Sequence, residues 1–578
     1  MLPVRTSLET IPLLVSHSSI STEINKTGSW RFVYPTYDEK TAPCSVACPA
    51  GEDIGRIEML AHQGSFREAA ATILKENPFP SVCGRVCFHP CENACNRGEF
   101  DEPVAIHCLE RFLGDIALAE GNACFIEKLP AGKKRVAIIG AGPSGLAGAW
   151  FLARLGFRCD VFEAKTEPGG LLRWGIPSYR LPNEILEKEI QRIQHQGVKI
   201  HCGRPVTSDF FEKAGERYDA ILIACGHGRS IEMKIPGEEM AVDGLAFLNK
   251  IRKSEIPDLQ GTSAVVGGGN TAVDVARSLV RLGSHPILVY RRRKQDMPAF
   301  IHEIEMALME GVRLMELRAP VRIEREKKDF ILSLQKMKLS SDEINGRARI
   351  IPDDTNIETL RVQKIFTAIG AEAEQPWQVQ AVENKKTLNL SHCTLAMKDL
   401  PVVCAGDLTN QLKSVPDAIA SGKQAAMVLD TLFQEGWDAI ETRLASAQVG
   451  AGPGLSMEIY TGGNRSGRNS HVVSFGEINI DYFQSSPRIV PPQRSPDERL
   501  KSFSEIERTL PADLALQEAD RCFSCGICNA CDNCRVFCPE VAVLLENKRR
   551  INLDYCKGCG ICVVECPRNA MGLEEEQR

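Results

Sequence analysis

Of the 23 cysteines in this 578-residue chain, fifteen fall in two groups, seven from Cys44 to Cys108 and eight from Cys528 to Cys566. A chain this long buries enough core to need no disulfide staples, so thiols this dense read as metal or iron–sulfur ligands in a reducing compartment. The later group runs Cys528-x2-Cys531-x2-Cys534-x3-Cys538-Pro539, then Cys556-x2-Cys559-x2-Cys562-x3-Cys566-Pro567. In that spacing three thiolates of one run hold a [4Fe–4S] cube and the fourth reaches the other cube. The expected ligand sets are Cys528, Cys531, Cys534 and Cys566 for one cluster, and Cys556, Cys559, Cys562 and Cys538 for the other. Zinc ribbons also use CxxC pairs, but they need no two runs each closed by Cys-Pro. Cys522 and Cys525 continue the spacing upstream. A first run shifted toward them stays open, at the loss of its Cys-Pro ending.

The earlier group is Cys44-x3-Cys48-Pro49, then Cys83-x3-Cys87-x3-Cys91-x3-Cys95, with Cys108 and Glu110 following. His107 stands beside it and reads as a hydrogen-bond donor more readily than a ligand. Cys159, Cys202, Cys225, Cys393 and Cys404 are isolated and read as core thiols. Cys124 has no assignment.

Two glycine fingerprints carry the remaining chemistry. Residues 135–139 read as a strand, followed by Gly140-x-Gly142-x-x-Gly145, a helical run, and a strand ending at Glu163. Gly140 permits the tight turn, Gly142 lets backbone approach a pyrophosphate, and Gly145 lets helix pack on strand. An acid about 20 residues further on accepts from ribose hydroxyls. A lone GxGxxG is weak, but strand, helix and acid together specify a dinucleotide site. In the second fingerprint Gly267, Gly269 and Ala272 hold the special positions, and the next strand ends in Arg291-Arg292-Arg293 instead of an acid. A guanidinium there suits a 2′-phosphate, which favours NADPH over NADH; a solvated basic turn is the other reading.

Composition agrees with a globular enzyme. The chain is 43% hydrophobic and 25% charged with a formal net charge of −6, which argues against a nucleic-acid binder. No apolar run approaches the ~18 residues of a membrane span, and the opening segment lacks a secretory pattern. A cytoplasmic location is expected.

The fold class expected is multidomain α/β. An extension (1–30) leads into a helical N-terminal Fe–S domain (31–125). Two nested Rossmann-like domains follow, the first (126–228 and 373–435) enclosing the second (229–372). A Gly/Ser/Pro-rich linker (436–510) precedes a bacterial-type 2[4Fe–4S] ferredoxin domain (511–578).

The strand 401–405 ending in Gly406-Asp407, with a helical segment after Ser414, completes an arrangement that resembles the two-dinucleotide-binding flavoproteins. The resemblance implies FAD at the first fingerprint, held by Gly140, Gly142, Pro143, Ser144, Gly145, Glu163, Gly170, Leu171, Arg173, Gly406, Asp407, Val415 and Ala418. It implies NAD(P)H at the inserted unit, held by Gly267, Gly269, Asn270, Thr271, Ala272, Arg291 and Arg292. No catalytic acid or base is implied, since hydride transfer needs only the two cofactors placed together.

Glu167-Pro168-Gly169-Gly170-Leu171-Leu172-Arg173-Trp174-Gly175-Ile176-Pro177 and Met297-Pro298-Ala299 are similar to the glutamate synthase small-subunit branch, which has no redox disulfide beside its flavin. The FAD segment here holds no CxxxxC either, so electrons must leave through clusters. Asn77-Pro78-Phe79-Pro80 with Cys83-Gly84-Arg85-Val86-Cys87 resembles the helical iron–sulfur domain of the same branch. That implies one [4Fe–4S] cluster on Cys48, Cys87, Cys91 and Cys95. The family's other cluster begins with a CxxC pair before Cys44, and no cysteine stands there. Cys44, Cys83, Cys108 and Glu110, the last matching an unusual Glu or Gln ligand of the family, remain for a second cluster, against free structural thiols.

The fused layout as a whole resembles DsrL-type NAD(P)H:acceptor oxidoreductases, which implies a dissimilatory sulfite reductase as protein partner and a place in sulfur metabolism. The alternatives are an NAD(P)H:ferredoxin oxidoreductase and an electron-input subunit of glutamate synthase or of an aromatic acyl-CoA reductase. A scaffold that keeps its clusters without turnover is the reading from another class.

Overall fold

Runs such as Arg135–Ile139 and Ala220–Ile223 are apolar on both faces, and such strands are stable only in a sheet covered on both sides. The computed structural model describes residues 26–121, 132, 134–255, 259–344, 347–373, 386–397, 400–546 and 549–577, so Cys124 and nearly all of the N-terminal extension lie outside it. Among the described residues these runs sit within a seven-stranded sheet. Its order is Lys386–Asn389, Cys393–Met397, Pro401–Ala405, Ala220–Ile223, Arg135–Ile139, Arg158–Phe162, Lys199–His201. Pairing is parallel from Pro401–Ala405 to Lys199–His201 and antiparallel at the other edge. Val136 is the register point, opposite Cys159 on one side and Ala220 on the other.

A second, five-stranded sheet is inserted between Ile223 and Pro401. Its order is Arg313–Met315, His285–Val289, Thr262–Val266, Lys364–Thr367, Val242–Asp243, all parallel. The chain leaves and re-enters the first unit through Arg229–Ser230 and Ala371–Glu372, which pair antiparallel. This nesting is the one expected from the sequence.

The thiol-bearing N-terminal region is helical, with Pro43–Ala47, Ile54–His62, Phe66–Glu76, Pro80–Val86, Pro90–Asn93 and Ile106–Glu120. Gly84 brings two of these helices together: a Cβ there would lie 2.5 Å from Arg111 N, so only glycine lets Pro80–Val86 approach Ile106–Glu120 so closely. The ferredoxin-like end is completed from the other end of the chain. Val33–Tyr37 pairs antiparallel with Met571–Glu575, and Lys40 Nζ donates to Asn569 O at 2.8 Å and to Met571 O at 3.0 Å.

Segment 436–510, expected as a linker, is packed along its length as a strap. Its serines cap short helices and turns: Ser456, Ser474 and Ser495 each hold an N-cap position. Ile440, Val449, Tyr460, Val473 and Ile506 are buried. The anchor is Glu76, 1% exposed, which accepts from Ser456 Oγ at 2.5 Å, Met457 N at 2.7 Å and Glu458 N at 3.0 Å. Lys423 Nζ lies 2.5 Å from the same carboxylate and 2.5 Å from Ala50 O. Burial pushes the Lys423 pKa down against the pull of Glu76. Breaking one side of a buried pair leaves an uncompensated charge. Lys423→Met is therefore expected to lower the unfolding midpoint, at a cost on the order of 3 kcal/mol. Lys423→Met/Glu76→Gln should recover part of it in thermal melts, and a double variant no better than the single would contradict the pairing.

Candidate functional site

The first fingerprint forms a backbone crevice. Gly142 is the N-cap of Pro143–Arg154, and a Cβ on it would meet nothing closer than Gly170 Cα at 3.9 Å. Gly170 itself has φ +54°, and a Cβ there would lie 2.8 Å from Gly142 Cα, so these two loops face each other backbone to backbone. Leu171 follows, 40% exposed. Pro143 opens the helix, Gly145 is buried against the Gly140 turn, and Ser144 is buried with an unpartnered Oγ. Glu163 accepts from Ala141 N and Lys165 N, both at 2.9 Å, so it fastens the turn and keeps lone pairs for a ribose.

Opposite lie Gly406, whose N–H donates to Ser421 Oγ at 2.6 Å, and Asp407, whose carboxyl burial pushes up. Ser414 Oγ caps Val415–Gln434 by accepting from Asp417 N at 3.3 Å. The positive end of that 20-residue helix, at Val415 and Ala418, faces this loop. Arg173 stands apart from the other expected residues. Its guanidinium is engaged by Pro168 O at 2.7 Å and Glu187 at 3.3 Å, which holds the loop that carries Gly170.

The second crevice repeats the plan. Gly269 caps Asn270–Arg281 and faces open space, while a Cβ on Gly267 would lie 2.3 Å from Ala368 O. Asn270 Oδ1 accepts from Phe300 N at 3.0 Å, Thr271 is half-buried, and Ala272 is fully buried. Arg291 is exposed at the end of His285–Val289 and Arg292 half-buried, whereas Arg293 is taken up by Asp296 at 2.8 Å.

At the C-terminal end, Cys528, Cys531, Cys534 and Cys566 line one cavity and Cys538, Cys556, Cys559 and Cys562 line another. Ala542 N and Ala570 N donate to Cys538 Sγ and Cys566 Sγ, both at 3.3 Å, and Tyr37 Oη lies 3.4 Å from Cys534 Sγ. Ala530, Asp532, Val541 and Asn569 take positive φ, a strained curl that wraps the loops around these cavities.

The N-terminal thiols group differently from expectation. Cys44 and Cys95 lie beside Cys522 and Cys525; burial first, then repulsion from those three thiols, pushes Cys44 well up. Cys91 is pushed up by burial and then by Cys48 and Cys87. Thus Cys95, expected with Cys48, Cys87 and Cys91, turns toward Cys44: Cys91 lies within the helical turn Pro90–Asn93, whereas Cys95 follows it in extended backbone as the N-cap of Asn96–Glu99. Cys83 lies near Glu110 and Cys87. Glu110 is pushed well up by burial and then by Glu52, and Asn77 Nδ2 bridges the two carboxyls at 3.1 and 2.8 Å. Cys108 is not with Cys44: its Sγ lies 3.2 Å from His107 Nε2, and His107 Nδ1 lies 2.8 Å from Glu92. Burial opposes the charge on His107, but Cys108 and Glu92 outweigh it and hold its pKa well above the usual imidazole range. Of the other cysteines, Cys159, Cys393 and Cys404 are buried, whereas Cys202 and Cys225 are half-buried; none of the described cysteines is in a disulfide.

Residues 134–422 match the pyridine nucleotide-disulphide oxidoreductase family, and with them both crevices. The chain belongs to that family. Residues 37–122 match the dihydropyrimidine dehydrogenase domain II with a 4Fe-4S cluster, and 549–571 match a 4Fe-4S binding domain. The β subunit of an NADP(+)-dependent formate dehydrogenase from Moorella thermoacetica is 34% identical over 516 residues, 84% of this chain and 70% of that one. The β subunit of an NADPH-Fe(3+) oxidoreductase from Geobacter sulfurreducens is 34% identical over 353 residues, 59% of this chain and 52% of its own. The NAD-dependent dihydropyrimidine dehydrogenase subunit PreT of Escherichia coli is 32% identical over 399 residues, 67% of this chain and 89% of its own. This family member is an NAD(P)H oxidoreductase that binds FAD and carries [4Fe–4S] clusters.

The residues present fit those groups: two glycine-lined crevices with orphaned or open positions, and thiols converging on cavities. FAD supplies a centre that takes a hydride and releases electrons singly, which the clusters then carry. The protein's part is to cradle pyrophosphates on backbone N–H groups and to gather the thiols around cavities. Gly142→Val is expected to leave the fold intact, since its Cβ meets nothing closer than ordinary contact distance, yet to abolish flavin binding by blocking the crevice. Gly269→Val should retain flavin and lose nicotinamide binding. Equal flavin loss in both, read from the absorbance of the purified proteins, would contradict the two-site assignment.

Proposed function

We propose that the protein moves electrons between NADPH, FAD and a series of [4Fe–4S] clusters to or from a protein partner that docks on its ferredoxin-like end. The observation that carries this is the placement of two four-thiol cavities at an apolar surface. Cys531 and Cys559 are exposed, and around them Val536, Phe537, Val541, Leu545 and Val564 are each at least 46% exposed. Apolar residues concentrated in so small a domain mark a protein-docking face. Supporting this, the cavities are lined by the thiols of the two expected sets, Cys528, Cys531, Cys534 with Cys566 and Cys556, Cys559, Cys562 with Cys538.

The partner we propose is a dissimilatory sulfite reductase, on the resemblance of the fused layout. The catalytic subunit of a formate dehydrogenase is the second reading, favoured by the long match to the Moorella β subunit. NADPH is preferred over NADH because Arg291 and Arg292 stand where an acid would hold a bare ribose diol.

Cys556→Ala/Cys559→Ala removes two proposed ligands of the cavity lined by Cys538, Cys556, Cys559 and Cys562 and leaves both crevices untouched. NADPH oxidation with a small dye should persist, and reduction of a sulfite reductase or formate dehydrogenase partner should fall by about tenfold or more, equivalent to ~1.4 kcal/mol of barrier. Full partner reduction by that variant would refute the docking face. Arg291→Ala should raise KM for NADPH about tenfold, the ~1.4 kcal/mol of a charge-assisted contact, and leave KM for NADH unchanged. An equal effect on both would refute the 2′-phosphate assignment.

A further inference from the structure

The segment that leads into the ferredoxin-like end is docked on the N-terminal helices, and its two cysteines are aimed inward. Lys40 N donates to Gly526 O at 2.9 Å, and Arg97 Nη1 to Arg521 O at 2.9 Å. A Cβ on Gly55 would lie 3.2 Å from both Ala42 and Ile527 and 3.9 Å from Cys525 O, so that glycine marks how closely the segments meet. Phe523 packs on Phe100 with ring centroids 5.8 Å apart. Asn96, next to Cys95 and 8% exposed, donates through Nδ2 to Cys525 Sγ at 3.4 Å and to Val473 O at 2.9 Å.

We propose that Cys44, Cys95, Cys522 and Cys525 together hold a [4Fe–4S] cluster, two ligands coming from the N-terminal helices and two from the segment before the ferredoxin-like end. Four thiols are the complete donor set of such a cube. The CxxC pair missing ahead of Cys44 is supplied here by Cys522-x2-Cys525 from the far end of the chain. A single zinc ion fits less well. Among the described residues the only three metal-ligating groups with donor atoms within 4.8 Å of one another are His89, Glu92 and His107. Zinc thiolates must stand that close, whereas a cube holds its ligands further apart. Glu58 adds a second observation: it is 1% exposed, neither oxygen has a partner, and it faces Cys44, Cys95 and Cys522. A buried carboxyl left alone is costly and calls for a polar group beside it.

Loading the site releases the thiol protons as iron–sulfur bonds form, and no electron is exchanged. Asn96 is then a positioning residue whose N–H···S bond tunes the cluster.

The inference rests on the reading of the chain as a cluster-bearing flavoprotein, and the experiment separates the two. The full-length protein, purified without oxygen, should hold about four more iron than Cys522→Ala/Cys525→Ala, with one EPR signal of the reduced protein lost in the variant and flavin content unchanged. Cys44→Ala should lose the same signal, and the triple variant should lose no more. Asn96→Leu should keep its iron and shift the potential of that signal alone. Different signals lost by Cys44→Ala and by the Cys522/Cys525 variant would overturn the proposal, as would unchanged iron in the variant. If Asn96→Leu instead moves a signal that Cys531→Ala removes, the thiols belong to the ferredoxin-like run and the proposal fails. Absence of iron from every form would overturn the parent reading itself.

Discussion

Around the buried amide of Asn96 three distant parts of the chain meet: Cys95 beside it, the strap at Val473, and Cys525 from the C-terminal segment. Electron transfer between clusters requires fixed, short separations, and a tethered module would not supply them. Glu518, fully buried, accepts from Ala105 N at 2.7 Å and Ile489 N at 2.9 Å and pairs with Arg521 at 2.7 Å. The helix Ala512–Asp520, which carries Glu518, therefore binds the N-terminal helices and the strap at once. The ferredoxin-like end is fastened again by Val33–Tyr37 on Met571–Glu575.

Short steps along the sequence then order the thiol sites. Cys44 lies in Pro43–Ala47 with Cys48 at its C-cap, Cys91 lies in Pro90–Asn93 with Cys95 beyond it, and each pair is divided between the two N-terminal thiol groups. Cys525 and Cys528 stand three residues apart, one facing the N-terminal helices and the other lining the first C-terminal cavity. Cys534 and Cys538, like Cys562 and Cys566, straddle the two C-terminal cavities. At the inner end Lys423, on the helix that starts beside Gly406, donates to Ala50 O, next to Cys48.

Much of this was legible in the sequence because the ligand imposes local rules. A pyrophosphate needs glycine at Gly142 and Gly269 whatever surrounds them, and a cubane run needs its three-residue spacing. What could not be read is tertiary. The Cys-x3-Cys ladder from Cys83 to Cys95 has one period, so it could not say that Cys95 leaves its neighbours for Cys44. Cys522 and Cys525 read only as a shifted register of the first ferredoxin run, although the CxxC missing before Cys44 was the signal that could have placed them elsewhere. The strap misled through composition: Gly, Ser and Pro serve a flexible tether and a chain of capped turns alike, and only buried contacts such as Glu76 to Ser456 decide between them.

The central claim is that electrons reach the ferredoxin-like end through the packed N-terminal thiols. Its most direct test mixes NADPH rapidly and anaerobically with wild type and with Cys522→Ser/Cys525→Ser, freezing samples over time for EPR alongside flavin absorbance. Flavin bleaching should proceed at one rate in both. Signals from the clusters of Cys528 to Cys566 should follow promptly in wild type and lag by more than about tenfold in the variant. Equally fast appearance of those signals in both proteins would contradict the account.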